Sequence, residues 1–269
     1  MTPDERRRFL FAALLRERTP SRAPALPPDA DGQRLLLRAL LNLRPPAPVG
    51  QTFLRVQDAY LQEELRRRGI TDAADLRPVR PGLYLWRGDL TTLRCDAIVN
   101  AANSRLLGCF CPNHGCVDNA VHTFAGVQLR LACAALMRAQ GHEEEVGGAK
   151  RTPAFNLPCK SVLHTVGPRV RARPTAADEA ALAACYDACL TLADEERLKN
   201  LAFCCVSTGE YGFPSERAAE VAIRAVETYR ARTRSRIEVI FNVFRETDYA
   251  VYRALLGADG AAPARAGDC

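Results

Sequence analysis

At 269 residues and 48% hydrophobic content the chain can bury a sizeable core, as one large domain or two small ones, and no run approaches the ~20 apolar residues that a membrane span needs. Eleven cysteines, an odd number in a chain of this length, exclude the disulfide scaffold of a small secreted protein. The net charge of +6 is concentrated, because residues 1–80 hold 15 arginines against 10 acidic side chains and the remainder is nearly neutral.

The opening MTPDERRRFLFAALL has charges but no small-residue cleavage signal, and reads as an amphipathic helix rather than an export signal. Phe9, Leu10, Ala13 and Leu14 or Leu15 recur at helical spacing, which predicts helix over residues 1–20. Pro20, Pro24, Pro27 and Pro28 make residues 21–28 a connector. Asp31 can cap a second helix that buries Leu35, Leu36, Leu40 and Leu41 and ends at Pro45, Pro46 and Pro48. Phe53 to Arg68 is a third helix, with Gly69 as its terminator. Residues 1–75 are thus expected to be an all-helical segment. Acidic residues are interleaved with its arginines and no aromatic platform accompanies them, so they read as a solvated face and no nucleic-acid partner is expected.

After Pro81-Gly82 the pattern changes. Short apolar runs at 83–87, 97–100, 161–166, 201–207 and 237–243 alternate with helical stretches at 118–140, 176–196, 215–231 and 247–257. The alternation predicts an α/β unit over residues 76–257, a sheet sandwiched between helices with right-handed crossovers. Ligands bind such sheets beyond the carboxyl ends of the strands. Asp89 follows the first run, Asn100 and Asn103 the second, and Ser207-Thr208-Gly209 the run ending at 207. Residues 258–269, Gly/Ala-rich and aperiodic, are expected to be a disordered tail with Cys269 an exposed thiol.

The chemistry concentrates between Ile98 and His122. Cys109, His114 and Cys116 are spaced C-x4-H-x-C in a loop bearing Gly108, Pro112 and Gly115, and two thiolates with an imidazole suit a soft divalent ion, above all zinc. Three ligands with an open position befit a catalytic metal; Cys111 is an alternative fourth ligand that would close the site. Asp118 either orients a water or ligand hydroxyl or caps a helix starting at Asn119, and the two roles are compatible. The Val206–Pro214 loop, VSTGEYGFP, is either a phosphate cradle built on amides freed by Gly209 and Gly212 or an ordinary strand-to-helix connection. His164 reads as a core histidine in a strand, and His122 and His142 as structural or surface residues. Cys185, Cys189, Cys204 and Cys205 read as small buried hydrophobes, which implies a reducing compartment.

Several motifs together resemble one family: GDLTTLRCDAIVNAAN (Gly88 to Asn103), VDNAVHTFAG (Val117 to Gly126), FNLPCKSVLHTVGP (Phe155 to Pro168), STGEYGFP and FNVFRETDYAVY. They are similar to those of macrodomains. The GCFCPNHGC insertion and the helical leader are similar to the zinc-containing branch, protein-ADP-ribosylhydrolases of the sirtuin-linked type. The resemblance implies a three-layer α/β/α sandwich with a mixed central sheet, preceded by the helical segment. It further implies Zn²⁺ on Cys109, His114 and Cys116; Asp89 accepting from the adenine amino group with Leu90 beside it; and Asn103 on the ribose next to the scissile bond. Val117, Asp118 and Asn119 would run along the diphosphate and proximal ribose, Asp118 in the position of a functionally important aspartate. Ser207, Thr208, Gly209, Glu210, Tyr211, Gly212 and Phe213 would form the phosphate loop, and Phe244 an aromatic near the adenine. Where ordinary macrodomains run several glycines before the aspartate, this chain has the Cys/His insertion.

The expectation is a cytoplasmic zinc-dependent hydrolase that removes ADP-ribose from mono-ADP-ribosylated protein side chains, with Asp118 and Asn103 catalytic. ADP-ribose and an ADP-ribosylated protein are the expected partners, with neither nucleic acid nor membrane. A reader module that binds ADP-ribose without turnover and an O-acetyl-ADP-ribose deacetylase are the alternatives.

Overall fold

The computed structural model describes residues 1–17 and 25–257. Three helices come first: α1 (Pro3–Arg16), α2 (Ala30–Leu43) and α3 (Gln51–Arg68). A capping box of Thr2 and Glu5 with Pro3 at the first position starts α1. The cap of α2 is Asp29 rather than the expected Asp31: its carboxylate accepts from the Gly32 amide at 2.7 Å, and Asp31 falls in the first turn. The buried face differs too. Leu37, Leu40 and Leu41 are buried, whereas Leu35 is 57% exposed. In a run of three leucines hydrophobicity alone cannot choose the phase, and packing against α1 chooses it. Gly69, with φ +82, terminates α3 as expected. Leu10, Leu14, Leu37, Phe53, Tyr60 and Leu61 form a small apolar cluster that Val127 joins from the second half of the chain.

Next come β1 (Thr71–Asp72), β2 (Pro78–Arg80), β3 (Leu83–Arg87), β4 (Leu93–Arg94), β5 (Ala97–Ala101), α4 (Val117–Ala125), α5 (Val127–Gln140), β6 (Ala149–Pro153), β7 (Ser161–Thr165), α6 (Ala176–Glu195), β8 (Asn200–Phe203), α7 (Ser215–Thr233), β9 (Glu238–Val243) and α8 (Glu246–Leu256). A seven-stranded mixed sheet runs β2-β3-β9-β8-β5-β7-β6, while β1 and β4 pair separately. Its five inner strands are parallel and its two edges antiparallel. Of the inner strands β5, β7, β8 and β9 are almost continuously buried, as a sheet covered by helices on both faces requires, while β3, next to the edge, buries only Leu83 and Trp86. Helices α6, α7 and α8 pack on one another in succession, and α4 lies against β5 while taking α2 and α3 on its outer side. The result is the three-layer α/β/α sandwich with its helical leader.

Three differences from the expected elements have physical causes. The edge strands β2 (PVR) and β6 (AKRTP) escape a search for apolar runs, because edges tolerate proline and charge. The stretch 118–140 is two helices that bend by 109° at Gly126, whose φ of +94 breaks the ladder. The run 201–207 leaves the sheet after Phe203 and frees the following residues as a loop. Among the described residues no single helix is long and apolar enough to cross a membrane. The expected tail at 258–269, with Cys269, and the first half of the 21–28 connector lie outside the described residues.

Candidate active site and metal-binding loop

The carboxyl ends of β3, β5, β8 and β9 open onto one cleft of about 650 Å³. Asp89 and Leu90 follow β3, Asn103 follows β5, Ser207 to Tyr211 follow β8 and Phe244 follows β9, and all of them line it. Cys109, His114, Cys116, Val117 and Asp118 form the adjoining wall. Phe244 is 75% exposed and stands at the rim as a free aromatic face.

Three expected residues are placed otherwise. Asn119 is fully buried and does not line the cleft: its amide nitrogen donates to the Cys111 carbonyl at 2.9 Å, and its carbonyl oxygen accepts from Arg38. Gly212 and Phe213 turn behind the cleft. The Phe213 ring is buried, and its amide closes the loop onto the Ser207 carbonyl at 3.0 Å. The cleft-facing part of the loop is therefore Ser207 to Tyr211. Ser207 adopts φ +65, and its buried hydroxyl has no hydrogen-bond partner among the described residues.

Cys109, His114 and Cys116 bring one donor atom each to within 4.8 Å of one another. Cys109 Sγ lies 3.6 Å from His114 Nδ1, close to the ~3.6 Å edge that Zn–S and Zn–N bonds of about 2.3 and 2.0 Å span at a tetrahedral angle. Cys116 is also the cap of α4, so its sulfur accepts from the Asn119 amide at the positive helix end, and Asp118 lies inside the first turn rather than at the cap. Burial pushes the Cys116 thiol up to about 12, an environment in which a thiolate needs a cation. The set therefore fits zinc. Glu210 Oε1 stands 3.4 Å from His114 Nε2, the kind of outer carboxylate that fixes a metal-binding imidazole. Cys111 is exposed and lies outside this group.

Asp118 is buried. Its Oδ1 accepts from Asn100 at 2.8 Å, its Oδ2 lies 3.5 Å from the Asn103 amide nitrogen, and His122 Nε2 is 3.6 Å from Oδ1. Burial raises its carboxyl to about 6, against the opposing pull of the Asn100 hydrogen bond and the Arg130 charge. Asn103 donates to the Gly108 carbonyl at 3.1 Å and accepts from the Arg105 amide, so the loop itself holds it. Gly108 cannot be another residue: φ is +81 and a Cβ would meet the His122 ring at 2.7 Å.

Sequence reasoning placed Asn100 among the candidate residues at the strand ends without its role, and missed Arg38 and Arg68. Asn100 is the buried group that aims Asp118, sharing its amide nitrogen with His164 Nδ1 at 3.2 Å. Arg38 and Arg68, from the leader, line the cleft. Arg68 donates to Asp89 Oδ2 at 2.8 Å and lies 3.6 Å above the Phe124 ring, while Thr91 engages Asp89 Oδ1. The leader's arginines are too numerous for their sequence to single these out. His164 is the core histidine expected, fully buried, bonded to Thr152 at 2.9 Å and lowered to about 4 by burial.

Comparison with known proteins agrees with this architecture. Residues 99–222 match the Macro domain family, and the chain belongs to that family. The Protein-ADP-ribose hydrolase of Treponema medium is 53% identical over 260 residues, covering 95% of this chain and all of that protein. The protein of that name from Staphylococcus aureus strain Mu50 is 46% identical, covering 93% and 95%. Among solved structures, the Trypanosoma brucei macrodomain in complex with ADP-ribose superposes with a TM-score of 0.63 at 31% identity, covering 81% of this chain and 95% of that one.

Proposed function

We propose that this protein is a zinc-dependent hydrolase that removes ADP-ribose from mono-ADP-ribosylated protein side chains. Its whole-length relatives are protein-ADP-ribose hydrolases, and the chain is an enzyme of that kind. One observation carries the finer reading: three soft donors, a buried carboxylate and an asparagine share one wall of a cleft whose volume suits a nucleotide-sized ligand. The division into a helical segment (1–75) and a macrodomain (76–257) belongs to the same reading.

In this reading Asp89 accepts from the adenine amino group, with Leu90 beside it and the Phe244 ring over the base. Ser207 to Tyr211, with the amino end of α4, hold the diphosphate. Asn103 fixes the proximal ribose. Cys109, His114 and Cys116 would hold Zn²⁺, which would supply Lewis-acid chemistry to the cleft at neutral pH. Asp118, raised to about 6, is still mostly ionised at neutral pH and basic enough to take a proton. Water adds to the anomeric carbon of the proximal ribose as Asp118 takes its proton; the bond to the protein side chain breaks with its electron pair leaving on the side-chain atom, and Asp118 returns the proton to that atom. The products are ADP-ribose and free protein. The thiols of the metal loop must stay reduced, which supports a cytoplasmic location, and the resemblance to sirtuin-linked enzymes supports a substrate modified by a sirtuin-type transferase.

The test is release of labelled ADP-ribose from a mono-ADP-ribosylated protein before and after chelation. Turnover that disappears with the metal and returns on adding zinc is the expected result. Retention of ADP-ribose without release would leave a reader module, and release that ignores chelation would remove zinc from the reaction.

A further inference from the structure

The metal loop has little regular structure of its own. Residues 102–116 contain no helix or strand, and three of them, Leu106, Gly108 and Asn113, have positive φ. Such a segment would have to be ordered by the ion, at a cost in conformational entropy for every residue fixed, unless the rest of the protein orders it first.

The hydrogen bonds show what does so. Arg38, on α2 of the leader, donates through Nη2 to the His114 carbonyl at 3.1 Å and to Asn119 Oδ1 at 2.8 Å, and through Nε to the same oxygen at 3.1 Å. Asn119 passes the constraint on. Its Nδ2 donates to the Cys111 carbonyl at 2.9 Å and reaches the Cys109 carbonyl at 3.5 Å, while its backbone amide meets Cys116 Sγ at 3.4 Å. One guanidinium and one amide thus touch the segments bearing all three donors. Asn42, one turn further along α2, adds a separate hold by accepting from the Asn113 amide at 3.0 Å.

We propose that Arg38, acting through Asn119, is a positioning residue that pre-forms the loop and thereby sets its affinity for zinc. The helical leader is then part of the metal site, although it supplies no ligand. Order established during folding is not charged against binding, which is how preorganisation raises affinity. Arginine suits the task because its planar fork engages two acceptors at once, whereas lysine presents a point charge. The inference rests on Cys109, His114 and Cys116 being the ligands.

The experiment is a zinc titration of the full chain against a chromophoric chelator, which reads the dissociation constant without any turnover. Arg38→Ala should weaken zinc binding roughly 10–100-fold, the usual loss when an outer partner of a ligand is removed. Arg38→Lys should fall between Arg38→Ala and the unaltered protein. Asn119→Ala should lose a similar factor, and the double variant should lose much less than the product of the two singles, because both act along one path. Arg6→Ala is the control, since it breaks the leader's Arg6–Glu63 pair at 2.5 Å without touching the loop, and it should leave the constant unchanged. If the unaltered chain and Arg38→Ala bind zinc equally, the positioning role is wrong and the metal assignment stands. If the unaltered chain binds no zinc, the assignment itself fails and the inference falls with it. Equal weakening by Arg6→Ala would reduce the effect to general loosening of the leader and overturn the specific role.

Discussion

Two groups of cysteine and histidine lie close to Asp118 and differ in almost everything except chemistry. Cys109, His114 and Cys116 are partly exposed and line the cleft, with His114 Nδ1 and the Cys109 sulfur facing each other. His122, Cys133 and His164 also bring donor atoms within 4.8 Å, but all three are buried behind the cleft. Both nitrogens of His164 are already engaged, Nδ1 by Asn100 and Nε2 by Thr152, while those of His122 have no hydrogen-bond partner among the described residues but are buried away from the cleft. Donor type does not make a metal centre; free lone pairs facing a ligand do. The first group fits an ion, and the second is a scaffold that holds Asn100, and through it Asp118, in place.

The sharpest way to break that contrast is to disable each component of the cleft separately. Cys109→Ser with Cys116→Ser should abolish zinc binding, read by elemental analysis, and reduce ADP-ribose release by more than ~10³-fold, the scale expected when both metal and activated water are lost. Asp118→Ala should keep its zinc and lose roughly 10²–10⁴-fold in turnover, the range for a positioned general base. Zinc lost from Asp118→Ala, or turnover kept without zinc, would mean that metal and carboxylate do not divide the work as described.

The buried group should declare itself through stability rather than activity. Burial lowers His164 from 6.5 to about 4, so between those values the unfolded chain binds the proton and the folded chain does not. Stability from this source is complete above pH ~6.5, declines as the pH falls, and is lost by pH ~4, a change of roughly 3 kcal/mol at ~1.4 kcal/mol per unit. His122, also lowered by burial, acts in the same direction. Asp118 opposes both, because a carboxyl raised to about 6 favours the folded state at low pH. The histidine slope should therefore emerge in Asp118→Asn, as urea midpoints rising from pH 4 to 6.5, and flatten when His164→Asn is added. An unchanged slope after that addition would remove His164 as its source.

The contrast also explains what could be read from the residues alone. Spacing grouped Cys109, His114 and Cys116 because candidate donors in one short loop are neighbours in sequence, and the proposed roles of Asp89, Asn103, Asp118 and Phe244 came with motifs of the family. The inner strands were legible as apolar runs, whereas β2 and β6 were hidden by the proline and charge that edges permit. Asn119 was assigned to the ligand together with Val117 and Asp118 as one segment that the family resemblance implies, yet successive residues of a helix point in different directions, and its side chain points at the loop. Arg38 and Arg68 could not be found at all, since their importance comes from contacts 81 and 21 residues away in sequence.

The gentlest prediction tests the comparison from its other side. Cys133 Sγ lies 3.7 Å from His164 Nε2, a distance that would also suit two ligands of one ion. If the trio is scaffold, Cys133→Ser should change neither the single equivalent of zinc nor its affinity, and should cost about 1 kcal/mol of stability, as a buried thiol is replaced by a hydroxyl that must share His164 Nε2 with Thr152. The discriminating case is an unaltered chain carrying two equivalents of zinc, one of which vanishes in Cys133→Ser. The donors of His164 would then have exchanged Thr152 for a metal, and burial alone would no longer separate a scaffold from a centre.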